Sequence, residues 1–293
     1  MRKTSLGVHN FVLERMSKRL YSRAMPAARA AQPKTALAEF WNAEPCGARY
    51  FKGVKDYDAH RTARYRLEPY IAEFAQFSAA RGLRVLEIGV GMGADYERWL
   101  SAGAKATGVD LSARSIAHTA ERCRQAGLNS DLQVADAERL PFADESFDLV
   151  YSYGVLHHSP NTATCISEAW RVLRPGGSAK IMLYHHPSLT GLMLWIRFGI
   201  WRFQSLRSCV FEHLESPGTK TFTKNEVLSL MARFEEISIR QVLSPGDLLL
   251  HNPSAKFQSF PYRVAWKIFP RRIMKSFGKR LGLFLLINAR KPS

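Results

Sequence analysis

Two hydrophobic patterns alternate through the middle of the chain. Short apolar runs, typical of buried strands, are separated by stretches in which apolar residues recur every three or four positions, as on one face of a helix. The runs cover 84–88, 106–110, 132–135, 147–152 and 179–184, and the helical stretches lie at about 66–80, 96–103, 113–126 and 162–173. Strands that alternate with helices through short connections predict a doubly wound, mostly parallel sheet in the α/β class.

The pattern changes after the fifth run. Residues 187–211 are apolar and aromatic with interspersed arginines, and they are too numerous for a plain loop, so we expect helices that act as a lid. Thr223 and the later Glu226 have the spacing of a capping box that begins another helix. Two last apolar runs, at 237–243 and 281–288, predict the final strands.

These patterns divide the chain into an arm and one folded domain. The arm covers 1–34, the domain covers 35–293, and inserts at about 187–222 and 248–280 are expected to form lids on that domain. A chain of 293 residues with 46% hydrophobic residues is long enough to bury one large core.

The positive charge is confined to the two ends. Residues 1–34 hold eight Lys and Arg against one acid, residues 248–293 hold ten against none, and together they account for the net charge of +17. Basic ends around a neutral body predict contact with an anionic membrane surface or an anionic substrate, and solvated tails are the alternative. The arm also has the composition of an organelle transit peptide, although we favour a surface-binding arm.

Apolar runs and cysteines bear on the compartment. No run approaches the ~20 apolar residues that span a bilayer, and no apolar core of a secretory signal begins the chain. The four cysteines (Cys46, Cys123, Cys165 and Cys209) have neither metal nor redox spacing. We therefore expect reduced thiols, no metal site and a cytoplasmic protein that is at most peripheral to a membrane.

A glycine-rich turn follows the first apolar run. Gly89, Gly91 and Gly93 come directly after it, and a helical pattern begins behind them. Glycines let the backbone approach a ligand closely, and the free N–H groups of the helix point to the same place. The spacing also fits the permissive dinucleotide fingerprint, so the turn alone leaves a dinucleotide and S-adenosylmethionine open.

Acidic residues at the ends of the runs favour S-adenosylmethionine. Glu87 would repel the pyrophosphate of a dinucleotide but attract an ammonium and a sulfonium. Asp110, at the end of the second run, can accept both ribose hydroxyls of either cofactor. Asp136 and the next backbone N–H, of Ala137, can read an adenine edge, or Asp136 can cap a simple turn.

The sequence contains six motifs at the ends of the runs and beside them. They are the acid and glycines of 87–93, Asp110, Ala135-Asp136-Ala137, Ser146-Phe147-Asp148, Val155-Leu156-His157-His158 and the Arg171–Gly177 segment. Together they resemble the class I S-adenosylmethionine-dependent methyltransferases, and most of all the branch that contains the ubiquinone and menaquinone C-methyltransferases and many small-molecule enzymes. The resemblance covers about 66–184. The resemblance implies a Rossmann-like sheet of seven strands whose last strand is antiparallel.

The resemblance also implies roles for individual residues. Gly89, Gly91 and Gly93 would pass beneath the methionine part of the cofactor, with Glu87 near its amino group. Asp110 would hold the ribose with Leu111 against the adenine, Asp136 and Ala137 would read the adenine edge, and Ser152 and Tyr153 would flank the methionine and the acceptor.

The expected activity is methyl transfer by in-line displacement to a small-molecule acceptor, lipophilic or anionic. Because the sulfonium already activates the methyl group, a base is needed only if the acceptor must lose a proton. His157 and His158 are the candidate bases, with His185 and His186 behind them.

Three other functions stay open. The (Asn/Asp)-Pro-Pro-(Tyr/Phe) sequence of nucleic-acid amino-methylating relatives is replaced by Ser152-Tyr153-Gly154-Val155, which makes nucleic acid an unlikely partner. The basic ends keep an RNA methyltransferase open, the glycine turn keeps an NAD-type oxidoreductase open, and a non-catalytic cofactor-binding protein is the third alternative. The acceptor, the methylated atom and the oligomeric state are not encoded in any motif.

Overall fold

The computed structural model describes residues 34–43, 56–214, 216, 218–250, 267 and 269–293. Most of the predicted arm, much of the second predicted insert, and Cys46 lie outside these residues. The division into arm, domain and lids therefore stays a prediction.

Within the described residues the strands form one seven-stranded sheet with the order β3-β2-β1-β4-β5-β7-β6. Strand β7 is antiparallel to both of its neighbours, and the pairs among β1 to β5 are parallel. The strands are β1 (Arg84–Ile88), β2 (Lys105–Asp110), β3 (Asp131–Val134), β4 (Phe147–Tyr153), β5 (Leu173–Tyr184), β6 (Glu235–Val242) and β7 (Phe284–Arg290). The predicted Rossmann-like sheet with an antiparallel last strand is confirmed.

Helices connect the strands and precede the sheet. They are α1 (Lys34–Ala43), α2 (Tyr57–Leu67), α3 (Tyr70–Ala75), α4 (Ala94–Ser101), α5 (Ala113–Gln125), α6 (Thr162–Val172), α7 (Leu189–Leu194), α8 (Leu206–His213), α9 (Lys224–Leu230), α10 (Arg271–Ser276) and α11 (Gly278–Leu281). Ser112 caps α5 by accepting a hydrogen bond from the Ser115 N–H, and the capping box of Thr223 and Glu226 is present at α9. The capping box predicted from the sequence is confirmed.

The core lies on both faces of the sheet. In β1, Leu86 and Ile88 pack into one cluster with α6, whereas Val85 packs into the other with Trp99 of α4. Since successive side chains of a strand point to opposite faces, a strand covered on both sides is mostly apolar. This explains the apolar runs in the sequence, which the buried Glu87 interrupts in β1.

The helix predicted over 66–80 is broken into three pieces. Helix α2 ends at Leu67, α3 begins after Pro69, and a 3₁₀ turn at Phe77–Ala80 follows Gln76, whose φ is 59°. Proline has no N–H to donate, and it disfavours helical backbone at the residue before it. The apolar spacing was a correct guide to burial, since Ile71 and Phe74 are buried, but not to continuity.

Most of residues 189–213 are helical, as predicted, with a break at 203–205, and their role as a lid stays a prediction. Between α7 and α8 the chain makes a π turn (Trp195–Gly199) and a 3₁₀ turn (Ile200–Arg202). Asp247 ties this hairpin to the sheet, because its buried carboxylate accepts hydrogen bonds of 2.8 Å from both the N–H and the hydroxyl of Thr190. The same carboxylate accepts hydrogen bonds of 2.8 Å from the N–H groups of Ser244 and Leu283.

Candidate functional site

A cleft opens at the carboxyl ends of β1, β2 and β4, the edge at which parallel α/β sheets bind their ligands. Ten of the fourteen site residues predicted from the sequence line it. They are Glu87, Gly89, Gly91, Gly93, Asp110, Leu111, Asp136, Ala137, Tyr153 and His158.

The glycine turn requires glycine for steric reasons. Gly89 and Gly93 have φ values of 83° and 74°, in the left-handed region. A Cβ atom at Gly89 would lie 2.2 Å from the Val155 Cγ2 atom, and one at Gly93 would lie 2.8 Å from the Thr119 Cγ2 atom. The turn therefore presents bare backbone to the cleft and has no space for side chains.

Asp110 holds this turn against β2. One carboxylate oxygen accepts a hydrogen bond of 3.0 Å from the Gly91 N–H, and the other accepts one of 2.9 Å from the Ser112 N–H. Burial raises the pKa of Asp110, while these two hydrogen bonds act against that rise. Since each carboxylate oxygen has two acceptor positions, both can still accept a hydroxyl from the cleft.

Glu87 is a buried acid without a full set of partners. Its side chain is 3% exposed, and the Oε2 atom has no hydrogen-bond partner among the described residues. Burial and the nearby Asp95 carboxylate raise the pKa of Glu87 well above its usual range. A cation in the cleft would stabilise the ionised form of Glu87, whereas a phosphate would make that ionisation still more costly.

Asp95 is compensated in a way that Glu87 is not. Two nitrogens of Arg64, Nε and Nη2, donate to the Asp95 oxygens over 3.1 Å and 2.6 Å. The hydroxyls of Tyr65 and Tyr151 donate to the same carboxylate over 2.8 Å and 2.9 Å. Burial alone would raise the pKa of Asp95, but these partners hold it below its ordinary value.

One wall of the cleft comes from α1 and α2 and was not predicted from the sequence. Helix α1 lies across the cleft, with its Asn42 side chain accepting a hydrogen bond of 2.7 Å from the Ser112 hydroxyl. Lys34, its first residue, donates to Asp136 over 2.5 Å and pairs with Glu138 at 2.7 Å. The wall consists of Lys34, Leu37, Trp41, His60, Arg64, Leu67 and Glu68.

A weak pattern could have revealed α1. Leu37 and Trp41 are four positions apart, on one face of a helix, and both line the cleft. No comparable pattern marks Arg64, because its helix is mostly polar and its partner Asp95 is distant in sequence.

Ser152 and His157 do not line the cleft. The Ser152 hydroxyl is fully buried and donates to the Ile88 carbonyl over 3.0 Å, so it joins β4 to β1. His157 is also fully buried, with its ring stacked on Tyr184 at a centroid distance of 3.8 Å. Burial, with the nearby His158 and Lys220, lowers the pKa of His157 well below its usual range, which keeps the ring neutral.

The remaining histidines divide between two places. His158 lines the cleft, and its Nδ1 atom lies 2.9 Å from the Ser216 hydroxyl and 3.0 Å from the Thr219 hydroxyl. His185 and His186 instead line a shallow separate cleft beside β5 and β6, where burial lowers the pKa of His185 to about 4. Of the four candidate bases, His158 alone faces the glycine turn.

Comparison with known proteins agrees with this geometry. Residues 86–181, from the middle of β1 into β5, match the family model described as a methyltransferase domain. This central part of the chain is similar to a methyltransferase domain. S-adenosylmethionine is the cofactor of that domain family, and the cleft described above has a buried acid with an unpartnered oxygen and a bare backbone, which suit a cationic adenosyl compound.

Relatives with curated names share this domain and only part of their length. The 27-O-demethylrifamycin SV methyltransferase of Amycolatopsis mediterranei is 37% identical over 33% of this chain and 36% of its own. The phosphatidylethanolamine N-methyltransferase of Cereibacter sphaeroides is 33% identical over 43% of this chain and 62% of its own. The match thus covers about a third of the first relative and just under two thirds of the second.

Among solved structures, the geranyl diphosphate C-methyltransferase of Streptomyces coelicolor has the same fold. Its TM-score is 0.58 at 17% identity, and the match covers 90% of this chain and 99% of that one. This likeness concerns the arrangement of helices and strands.

The described residues contain no helix long and apolar enough to cross a bilayer. Nor do they contain a group of three or more His, Cys, Asp or Glu side chains arranged to hold a metal ion.

Proposed function

We propose that this chain transfers a methyl group from S-adenosylmethionine to a small-molecule acceptor. The observation that carries the proposal is Glu87, a buried carboxyl with an unpartnered oxygen beneath a glycine cradle. When bound, the cofactor supplies a methyl group that its sulfonium has already activated, so the protein must bind, orient and exclude water.

We further propose which residues hold the cofactor. Glu87 takes the ammonium group, Asp110 takes the ribose hydroxyls with Leu111 against the adenine, and Asp136 with the Ala137 N–H reads the adenine edge. Gly89, Gly91 and Gly93 let the backbone approach the methionine part.

Arg64 completes this set by binding the carboxylate of the methionine part. Its Nε and Nη2 atoms are engaged by Asp95, whereas Nη1 has no partner among the described residues and the side chain lines the cleft. A guanidinium that is already fixed at two nitrogens loses little freedom when the third binds a carboxylate. Glu87 and Arg64 would then recognise the two opposite charges of one amino acid.

The acceptor would lie beyond Tyr153, between α1 and the end of β4. Leu37, Trp41 and Leu67 provide apolar surface there, which suits a lipophilic acceptor. Where the acceptor must lose a proton, His158 is placed to take it, with its ring oriented by Ser216 and Thr219.

The acceptor and the place of action are proposals of the same kind. We propose a lipophilic or anionic acceptor and peripheral contact with an anionic membrane surface. The basic ends support this, and so does α10, where the apolar Ile273 is 60% exposed beside Arg271 and Arg272. One relative is named for methylating phosphatidylethanolamine, a membrane lipid.

Labelled cofactor provides the test. The protein is incubated with methyl-labelled S-adenosylmethionine and separate aqueous and lipid extracts of the host, and the labelled product is identified. We expect a labelled small molecule in the lipid extract, and much less label with Asp110→Ala at a cofactor concentration that does not saturate the variant. Label found in RNA would favour the alternative acceptor, and no label in any fraction would contradict methyl transfer.

A further inference from the structure

The turn between α7 and α8 exposes large apolar side chains. We call residues 195–203 the hairpin tip. Within it Ile196 is 58% exposed, Trp201 83% and Phe203 99%. Single exposed apolar residues are ordinary, but three on one short turn form the kind of patch that marks a contact surface.

The exposure results from an ordered backbone. The Trp195 indole N–H donates to the Gln204 carbonyl over 2.8 Å, and the Gln204 N–H donates to the Gly199 carbonyl over 3.1 Å. Phe203 itself has a φ of 49°, a left-handed conformation that bulky residues rarely adopt. Hydrogen bonds therefore close the turn, while the side chains of Trp201 and Phe203 point away from the protein.

The charged residues of the tip itself are both basic. Arg197 and Arg202 lie within it, and no acid occurs between 189 and 211. Beside the tip, Glu212 accepts a hydrogen bond of 3.2 Å from the Gln204 side chain, and Arg207 is paired with Glu226 at 2.7 Å. Aromatic side chains flanked by arginine are suited to the headgroup region of an anionic bilayer, where the rings enter the acyl boundary and the guanidinium groups meet phosphates. A second copy of the same patch would instead bring like charges together.

We propose that the hairpin tip inserts Trp201 and Phe203 into the interface of an anionic membrane. This inference rests on the membrane contact proposed above, and it assigns that contact to a described surface. The α7–α8 hairpin is fixed to the sheet through Thr190 and Asp247, so insertion would also orient the methyltransferase cleft relative to the lipid.

Vesicle binding tests the proposal on the full chain. Co-sedimentation is measured with vesicles that contain phosphatidylglycerol and with vesicles of pure phosphatidylcholine, for the wild type, Trp201→Ser/Phe203→Ser and Arg197→Gln/Arg202→Gln. Leu228→Ser/Val134→Ser serves as the matched control, because these residues are 45% and 54% exposed elsewhere on the surface. Thermal melting confirms that each variant is folded.

We expect the wild type to bind the anionic vesicles in a salt-sensitive manner. The aromatic variant should bind about tenfold more weakly or worse, the arginine variant should bind with a smaller salt dependence than the wild type, and the control should match the wild type. Equal binding by the aromatic variant would overturn the role of the tip and leave the membrane contact standing. No binding by the wild type would overturn both.

Two further measurements separate the other outcomes. Sedimentation velocity without lipid would overturn the proposal if the wild type were a dimer and the aromatic variant a monomer, since the tip would then be a subunit interface. Cofactor binding measured without vesicles reports on the methyltransferase function independently of the tip.

Discussion

Replacing Arg64 by Gln should separate the recognition of the two ends of the methionine part. If Nη1 of Arg64 binds the cofactor carboxylate, the variant loses one charge-assisted hydrogen bond, which contributes about 1.5–3 kcal/mol. That loss corresponds to S-adenosylmethionine binding that is about 10- to 150-fold weaker. Decarboxylated S-adenosylmethionine keeps the ammonium but lacks the carboxylate, so its affinity for Arg64→Gln should be nearly the same as its affinity for the wild type.

Isothermal titration calorimetry measures the affinity of S-adenosylmethionine and of its decarboxylated form for the wild type and for Arg64→Gln, so that the effect of the substitution on each compound can be compared. Arg61→Gln is the matched control, because Arg61 lies on the same helix and pairs with Glu97 and Asp58 without lining the cleft. Arg64→Gln also weakens the support of Asp95, which keeps the hydroxyls of Tyr65 and Tyr151. An equal loss of affinity for both compounds would refute carboxylate recognition and leave Arg64 a purely structural role.

Three further changes test other parts of the account. Gly89→Ala should weaken cofactor binding by about tenfold or more and lower the melting temperature, because its Cβ would lie 2.2 Å from the Val155 Cγ2 atom. Adding Val155→Ala to the same chain should restore part of the lost affinity and part of the lost melting temperature. At pH values below the raised pKa of Glu87, its carboxyl is protonated and must release that proton to pair with the ammonium, so cofactor binding should strengthen as pH rises. Calorimetry in two buffers of different ionisation enthalpy should detect this proton release in the wild type but not in Glu87→Gln. Asp247→Ala leaves several N–H and hydroxyl donors without an acceptor, so urea unfolding should show a free energy of unfolding that is lower by about 3 kcal/mol or more. A variant as stable as the wild type would show that the α7–α8 hairpin does not depend on this contact.

Much of the fold could be predicted because its determinants are local in sequence. Most strands of the parallel part are apolar runs, and Glu87, Asp110 and Asp136 lie at the carboxyl end of a run or just after it, so they could be placed at one edge. Ser112 and Thr223 could be recognised as helix starts from their own neighbours.

The rest depends on contacts between distant parts of the chain. Arg64 becomes part of the cleft only because α2 packs beside α4, which brings it to Asp95, 31 positions later. The alternation of β4 turns Ser152 inward to Ile88 while Tyr153 lines the cleft, and the motif alone did not distinguish these two neighbours. His157 likewise follows a recognisable motif, yet its ring packs on Tyr184, a partner that no local pattern predicts.

Calorimetric titration of the folded chain with S-adenosylmethionine and, separately, with NAD⁺ tests the central claim most directly. The account predicts one-to-one binding of S-adenosylmethionine, weakened about tenfold or more in Asp110→Ala, and no measurable binding of NAD⁺. Tight binding of NAD⁺, or well-folded protein that gives no heat with S-adenosylmethionine, would contradict it.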